Sequence, residues 1–134
     1  MAIELSYLVA STALFFVMVA VQAVFSDHEH GVSHNAGARD NAVDKSLMVQ
    51  RSKRANANMM ESFIIFIPLI LVAVITERTN SMTALGAAMF FWGRVAYAPL
   101  YWFGVPWLRS LAWFAGIIGL VLIFFQILPF TGAA

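Results

Sequence analysis

Hydrophobic residues fill four long stretches of the chain, separated by short polar connections. Residues 5–26 include 22 positions without a charged side chain, and residues 110–134 include 25. A helix of about 20 apolar residues crosses the hydrocarbon core of a bilayer. These two stretches therefore predict the first and last transmembrane helices. Because Glu4 is the only charge before Asp27, we expect the first helix to be retained rather than removed as a signal peptide.

The middle of the chain is less regular. The apolar run at 62–76 has only 15 residues, so a crossing helix must extend backwards and bring Asn58 and Glu61 into the membrane thickness. Arg78 and Arg109 bracket 30 residues, which are too many for one span and too few for two. We therefore expect one span followed by a turn at FGVPWL, where glycine and proline break the helix.

The pattern as a whole predicts one all-α domain over residues 1–134, an integral membrane four-helix bundle. Its helices are expected near residues 4–26, 47–77, 83–102 and 108–129, with a polar cytoplasmic loop at 27–46.

Composition supports a membrane protein and excludes several kinds of chemistry. The chain is 61% hydrophobic and 11% charged, with a mean hydropathy of +0.80, against about 45–50% and about 25% in soluble proteins. A net charge of +1 gives no reason to expect a nucleic-acid partner. The absence of cysteine excludes disulfides, thiolate metal sites and a cysteine nucleophile. Any thiol chemistry must therefore use a thiol that belongs to a substrate.

Lysines and arginines predict the orientation. Those in or just after the first connection are Arg39, Lys45, Arg51, Lys53 and Arg54. Arg109 ends the third connection, whereas the second holds only Arg78 and the termini hold none. The positive-inside rule then places connections one and three in the cytoplasm and both termini on the opposite side. Trp102, Trp107 and Trp113 near connection three are typical of an interfacial aromatic belt.

The first connection contains His28, Glu29, His30 and His34. His28 and His30 alternate rather than share a helical face, and no strong ligand spacing is present. We therefore predict no metal site and interpret the segment as a solvated loop that acts as a lid or tether.

A polar face enters the membrane on the second helix. Arg51, Arg54, Asn58 and Glu61 follow one another at intervals of three, four and three residues, so they share one side of a helix. Intramembrane charges usually face a bundle interior and carry function. A structural alternative remains open, in which Glu61 neutralises Arg94 and the other arginines reach lipid phosphates.

The third helix has a similar face, and the fourth begins with a cation. Arg94, Tyr97 and Tyr101 lie at i, i+3 and i+7. Arg109 and Ser110 stand where the fourth helix begins, and a positive charge there favours bound anions and would stabilise a thiolate. All three groups are expected at the cytoplasmic side, where they would bind a small, anionic, polar ligand beside a lipid-accessible wall.

These residues resemble the membrane-associated proteins in eicosanoid and glutathione metabolism (MAPEG), which include microsomal glutathione transferases and leukotriene and prostaglandin synthases. The family motif R-x-x-R-A-x-x-N-x-x-E is matched by Arg51, Arg54, Ala55, Asn58 and Glu61. The pattern R-x-x-[YH]-x-x-x-Y is matched by Arg94, Tyr97 and Tyr101, and an R-S pair by Arg109 and Ser110.

The resemblance implies a homotrimer of four-helix bundles that binds glutathione between neighbouring subunits on the cytoplasmic side. It implies the glutathione contacts Arg51, Arg54, Asn58, Glu61, Arg94, Tyr97 and Tyr101. Arg109, with Ser110, would stabilise the thiolate. Ala57 and Ser62 stand where prostaglandin-synthase-like and leukotriene-synthase-like members carry an arginine and a tyrosine, respectively, so the motif does not favour eicosanoid specificity.

The sequence therefore predicts a glutathione transferase or peroxidase that acts on lipophilic electrophiles or hydroperoxides arriving from the bilayer. The alternative is a non-catalytic membrane binding or scaffold protein on the same fold. A small transporter is disfavoured, because the chain shows no internal repeat.

Overall fold

The computed structural model describes residues 1–37 and 46–128, and this part of the chain is helical without strands. The helices are α1 (Ile3–His30), α2 (Val32–Ala36), α3 (Leu47–Ile75), α4 (Ser81–Trp102) and α5 (Pro106–Gln126). The four long helices form one bundle: α1 packs on α3 and α4, α4 packs on α5, and α3 contacts both α4 and α5. The short α2 contacts α1.

Local sequence determines where the helices begin and end. The Ser46 side chain accepts a hydrogen bond from the backbone N–H of Val49 at the start of α3. Asn80 and Thr83 form a reciprocal capping box at the start of α4, which satisfies amide groups that lack partners inside the helix. Gly104, with φ of 70°, turns the chain after α4, and Pro106 opens α5. The turn expected at FGVPWL is therefore present.

Three helices in the described residues, α1, α3 and α5, are long and apolar enough to cross a membrane. Helix α4 is not among them; it carries Arg94 near its middle and two glycines along its length. Helix α3 has 29 residues and is therefore about 44 Å long at 1.5 Å per residue. It exceeds a hydrocarbon core of about 30 Å, so its arginine-bearing first turns can lie outside that core.

The first connection differs from the expected loop at 27–46. Helix α1 continues through Asp27 and His28 to His30, because charged residues do not interrupt a helix outside the hydrocarbon core. It ends at Gly31, where φ is 90°, and α2 follows. Arg39 and Lys45, which contribute to the predicted orientation, lie outside the described residues.

Aromatic rings fill the centre of the bundle between α3 and α4. The rings of Phe66 and Phe90 stack with centroids 4.1 Å apart, and Phe63 lies beside both. Phe66 and Phe90 are fully buried. On the other side of α3, Asn56 donates to the Gln22 side chain of α1 at 2.7 Å. The face of α3 that carries Arg54, Asn58 and Glu61 points away from α1, toward α4, α5 and the exterior.

Helices α4 and α5 approach each other closely at glycines. A Cβ atom on Gly86 would lie 2.5 Å from the backbone oxygen of Gly119, and one on Gly93 would lie 2.9 Å from the backbone oxygen of Ala112. Small residues let the backbones of membrane helices approach in this way. This packing holds α4 and α5 together along their central turns.

Replacing Gly119 with alanine is expected to destabilise the bundle. The new Cβ would collide with the backbone oxygen of Gly86 and lie 3.0 Å from the backbone nitrogen of Phe90, and overpacking of this kind costs about 1–3 kcal/mol. Gly116→Ala is the matched control, because the nearest atom to its Cβ is Arg94 Nε at 3.8 Å. In that variant, the gain in helix propensity of up to about 1 kcal/mol should dominate. Thermal unfolding in detergent measures both, and equal melting temperatures would contradict the close approach.

Candidate functional site

A cavity of about 250 Å³ opens between α3, α4 and α5. Its lining residues are Asn58, Tyr97, Arg109, Ser110, Trp113 and Phe114. The first four come from all three of the polar groups that the sequence singled out. The structure therefore brings those groups together in one place.

Arg94 and Asn58 form the innermost contact of the site. Arg94 Nη1 donates a hydrogen bond to Asn58 Oδ1 at 2.8 Å. The arginine is 1% exposed, and its Nε and Nη2 atoms are buried without a hydrogen-bond partner. Its Cζ atom lies 4.9 Å from the centroid of the Tyr97 ring and 5.8 Å from that of Phe90. The charge of Arg94 is thus held by an amide oxygen and two aromatic faces.

This contact determines which polar group Asn58 offers to the cavity. A guanidinium has donors only, so Asn58 must use its oxygen toward Arg94. The Nδ2 group of Asn58 is then left to donate to an acceptor in the cavity. A carbonyl or carboxylate oxygen is the complementary ligand atom.

Tyr101 lies between two further arginines. Arg54 Nε donates to the Tyr101 hydroxyl oxygen at 3.2 Å, and Arg109 Cζ lies 4.7 Å from the centroid of the Tyr101 ring. The rings of Tyr97 and Tyr101 meet edge to face with centroids 5.4 Å apart. Cation–π contacts of this kind hold a guanidinium in place. Arg109 therefore reaches the cavity from α5 with its orientation supported by α4.

Ser110 and Glu61 occupy the edges of this arrangement. The Ser110 hydroxyl donates to the backbone oxygen of Pro106 at 3.2 Å, so its oxygen can still accept. Glu61 is exposed on α3, and no ion pair within 4 Å joins it to Arg94. The alternative in which Glu61 neutralises Arg94 is thus not the arrangement in the structure.

Arg51 has a different environment from the other arginines. Its Nη1 donates to the backbone oxygen of Trp102 at 3.3 Å, and a Cβ on Gly104 would lie 2.8 Å from its Cζ. A cation that hydrogen-bonds to the last carbonyls of a helix caps its C-terminus. The structure thus places Arg51 at the end of α4, away from the cavity lining, where it supports the turn that leads into α5.

The histidine-containing segment lies apart from the cavity. Glu29 Oε1 accepts from the backbone N–H of Ser46, and Glu29 Oε2 lies 3.4 Å from His30 Nε2. Asn35 donates to Asp27 at 2.7 Å. No group of three or more His, Cys, Asp or Glu residues suited to a metal ion occurs within 1–37 and 46–128. The His34 side chain lies outside what the structure describes.

Trp113 and Phe114 were not among the residues expected at the site. Trp113 fitted an interfacial belt, yet it lines the cavity, whereas Trp107 is 82% exposed. The signal was present in the spacing, because Trp113 and Phe114 lie four residues after Arg109 and Ser110. Residues four apart share a helical face, so the aromatic pair had to accompany the polar one.

The chemistry of the site is set by an excess of donors. Arg109 and Asn58 line the cavity, and Arg94 donates a hydrogen bond to Asn58 from the buried side. Arg54 lies nearby, where it donates to the Tyr101 hydroxyl. Such a constellation can bind carboxylates and stabilise a developing anion.

Comparison with curated proteins and with solved structures found no significant match. Among protein families, the model of the MAPEG family matches residues 5–129, which is nearly the whole chain and covers α1 from Leu5 onward and all of α2–α5. The chain therefore belongs to the MAPEG family.

Proposed function

We propose that this protein is a membrane-embedded glutathione transferase or peroxidase in which Arg109 stabilises the thiolate of bound glutathione. The observation that carries the proposal is the cavity in which Asn58, Tyr97, Arg109 and Ser110 meet. Glutathione carries two carboxylates and a thiol, and a site with an excess of donors suits both the carboxylates and the thiolate. Family membership supports a glutathione-related or eicosanoid-related activity.

The residues have three roles under this proposal. Arg54, Asn58 and Tyr101 would bind glutathione through its carboxylates and peptide groups. The guanidinium of Arg109 would hold the sulfur as a thiolate, with Ser110 beside it. Arg94 would fix the orientation of Asn58, and Glu61, which is exposed on α3, would accept from the ligand ammonium group.

The reaction has two forms. In the transferase form, the thiolate attacks an electrophilic carbon, a carbon–sulfur bond forms, and a leaving group such as chloride departs with its electron pair. In the peroxidase form, the thiolate attacks a hydroperoxide oxygen and the alcohol departs. A second glutathione then reduces the sulfenic acid, which gives glutathione disulfide and water. The protein contributes positioning and electrostatic stabilisation in both.

A homotrimer would complete the site. A cavity of about 250 Å³ is below the usual range of about 300–1,000 Å³ for small-molecule pockets. Arg54 and Glu61 are exposed on the outer side of α3. Glu61 lies two turns deeper along the helix, where lipid contact would be costly for a charged group. A neighbouring subunit over this side would enclose both the ligand and these charges.

The bilayer would deliver the lipophilic substrate. An apolar groove of about 730 Å³ lies between α3 and α5, with Ile64, Pro68, Ile117 and Phe125 among its lining residues. On α5 it continues the face that carries Arg109 and Trp113. In this arrangement, α4 also crosses the membrane, which makes four spans in total. The first and third connections are then cytoplasmic, and glutathione enters from the cytoplasm.

Purified protein in detergent tests the proposal by calorimetric titration with glutathione and with its diethyl ester, which lacks the carboxylate charges. We expect glutathione to bind and the ester to bind much more weakly. Arg54→Gln should weaken binding by about 10- to 150-fold, the value of a charged hydrogen bond. The matched control is Lys53→Gln. Lys53 is exposed and lies off the polar face, so the loss of its charge should leave binding unchanged.

Turnover completes the test with two acceptors, 1-chloro-2,4-dinitrobenzene and a fatty-acid hydroperoxide. The faster reaction assigns transferase or peroxidase chemistry. Rates equal to the uncatalysed reactions would contradict the enzyme proposal. If glutathione also failed to bind, the non-catalytic scaffold would be favoured instead.

A further inference from the structure

Two aromatic side chains form one wall of the cavity. The rings of Trp113 and Phe114 meet edge to face, with centroids 5.2 Å apart and an interplanar angle of 80°. Both line the same cavity as Arg109 and Ser110. A helix rises about 5.4 Å per turn, so the wall begins about one turn beyond the cation.

The position of this wall relative to Arg109 restricts what can react there. Reacting atoms must approach to about 3–3.5 Å. If the sulfur is held at Arg109 and glutathione occupies the polar lining at Asn58 and Tyr97, the aromatic part of the lining is left for the electrophile. The aromatic rings therefore contact the electrophile rather than the glutathione backbone.

Interfacial tryptophans are common in membrane proteins and usually anchor a helix at the headgroup level. Trp107 fits that description, since it is 82% exposed and absent from the cavity. Trp113 is half-buried and turned toward the cavity. The two tryptophans of α5 thus have different environments, although both lie in its first three turns.

We infer that Trp113, with Phe114, is the specificity-determining wall of the site and selects planar aromatic or conjugated electrophiles over saturated ones. The inference rests on the proposed function and assigns the class of its second substrate. Aromatic rings prefer stacked or edge-to-face contacts, which are worth a factor of about 2 to 13 beyond the burial of equal area. Attack on an activated ring also spreads negative charge over that ring, where the guanidinium of Arg109 can stabilise it.

Binding of two glutathione conjugates of similar size tests this without requiring turnover. The probes are S-benzylglutathione and S-hexylglutathione, and the readout is the ratio of their dissociation constants by calorimetry. We expect the wild-type protein to prefer the benzyl conjugate. Trp113→Leu should lower that preference by about 2- to 13-fold, because leucine offers no aromatic face, while Trp113→Phe should retain most of it.

The control variant is Trp107→Leu, which removes a tryptophan from the same helix outside the cavity and should leave the ratio unchanged. A Trp113→Leu variant that weakens both conjugates equally would overturn the inference and leave the proposed function standing. Failure of both conjugates to bind the wild-type protein would overturn the inference and the proposed function together. A benzyl preference in the wild-type protein that Trp113→Leu removes would support the inference. If no acceptor is turned over as well, the enzyme proposal would be rejected while the aromatic wall stands.

Discussion

Replacing Arg109 with leucine is expected to lower kcat for glutathione conjugation by about 10²- to 10³-fold, the usual cost of removing one group that stabilises transition-state charge. Arg109 is the cation that lines the cavity itself, and its guanidinium is held over the Tyr101 ring at 4.7 Å. The KM for glutathione should change less, because Arg54, Asn58 and Tyr101 remain. Steady-state kinetics with saturating glutathione measure this separation.

The pH dependence distinguishes thiolate stabilisation by Arg109 from a structural role. A nearby positive charge favours the thiolate and therefore lowers the pKa of the bound thiol. Removing the charge should raise the apparent pKa in the kcat profile toward the thiol reference of about 8.5. Activity of Arg109→Leu would then recover partly at alkaline pH, and Arg109→Lys should keep the profile near that of the wild type.

Two results would contradict this role. A uniform loss of activity at all pH values, with a lower melting temperature, would indicate that Arg109 only supports the packing of α5. An unchanged kcat would show that the reacting sulfur lies elsewhere. Lys53→Gln serves as the control for lost surface charge, since Lys53 is exposed and does not line the cavity.

Much of the fold follows from the sequence because membrane helices depend on local properties. The lengths of the apolar runs predicted the four long helices, and the shortness of the run at 62–76 correctly indicated that α3 extends back through Asn58. The start of α4 is set by Asn80 and Thr83, which contact each other locally. Such features require no knowledge of the neighbouring helix.

The contacts between helices could not be read in the same way. Asn58 and Glu61 lie one turn apart, and either could have received the guanidinium of Arg94. The rotation of α3 against α4 decides between them, and it is set by packing at Phe66 and Phe90. Arg51 likewise shares the spacing of the polar face, yet it hydrogen-bonds to the end of α4.

The second large effect is expected from Asn58→Asp, which should raise stability while it weakens ligand binding. The carboxylate keeps an acceptor for Arg94 Nη1 and adds a charge opposite a guanidinium that is 1% exposed, with two nitrogens unpaired. Pairing this buried cation should stabilise the fold by about 1–2 kcal/mol, a part of the roughly 3–5 kcal/mol that an uncompensated buried charge costs. Thermal unfolding in detergent measures this gain.

Binding should move in the opposite direction. Aspartate has no Nδ2 donor to offer the cavity, and its charge repels an anionic ligand, so glutathione should bind about 10- to 150-fold more weakly. Asn58→Ala is the informative comparison, since it removes both the donor and the partner of Arg94 and should lower stability and affinity together. If Asn58→Asp instead lost stability, Arg94 would already be compensated. If its affinity for glutathione were unchanged, the ligand would not contact Asn58, and the cavity could not be the glutathione site.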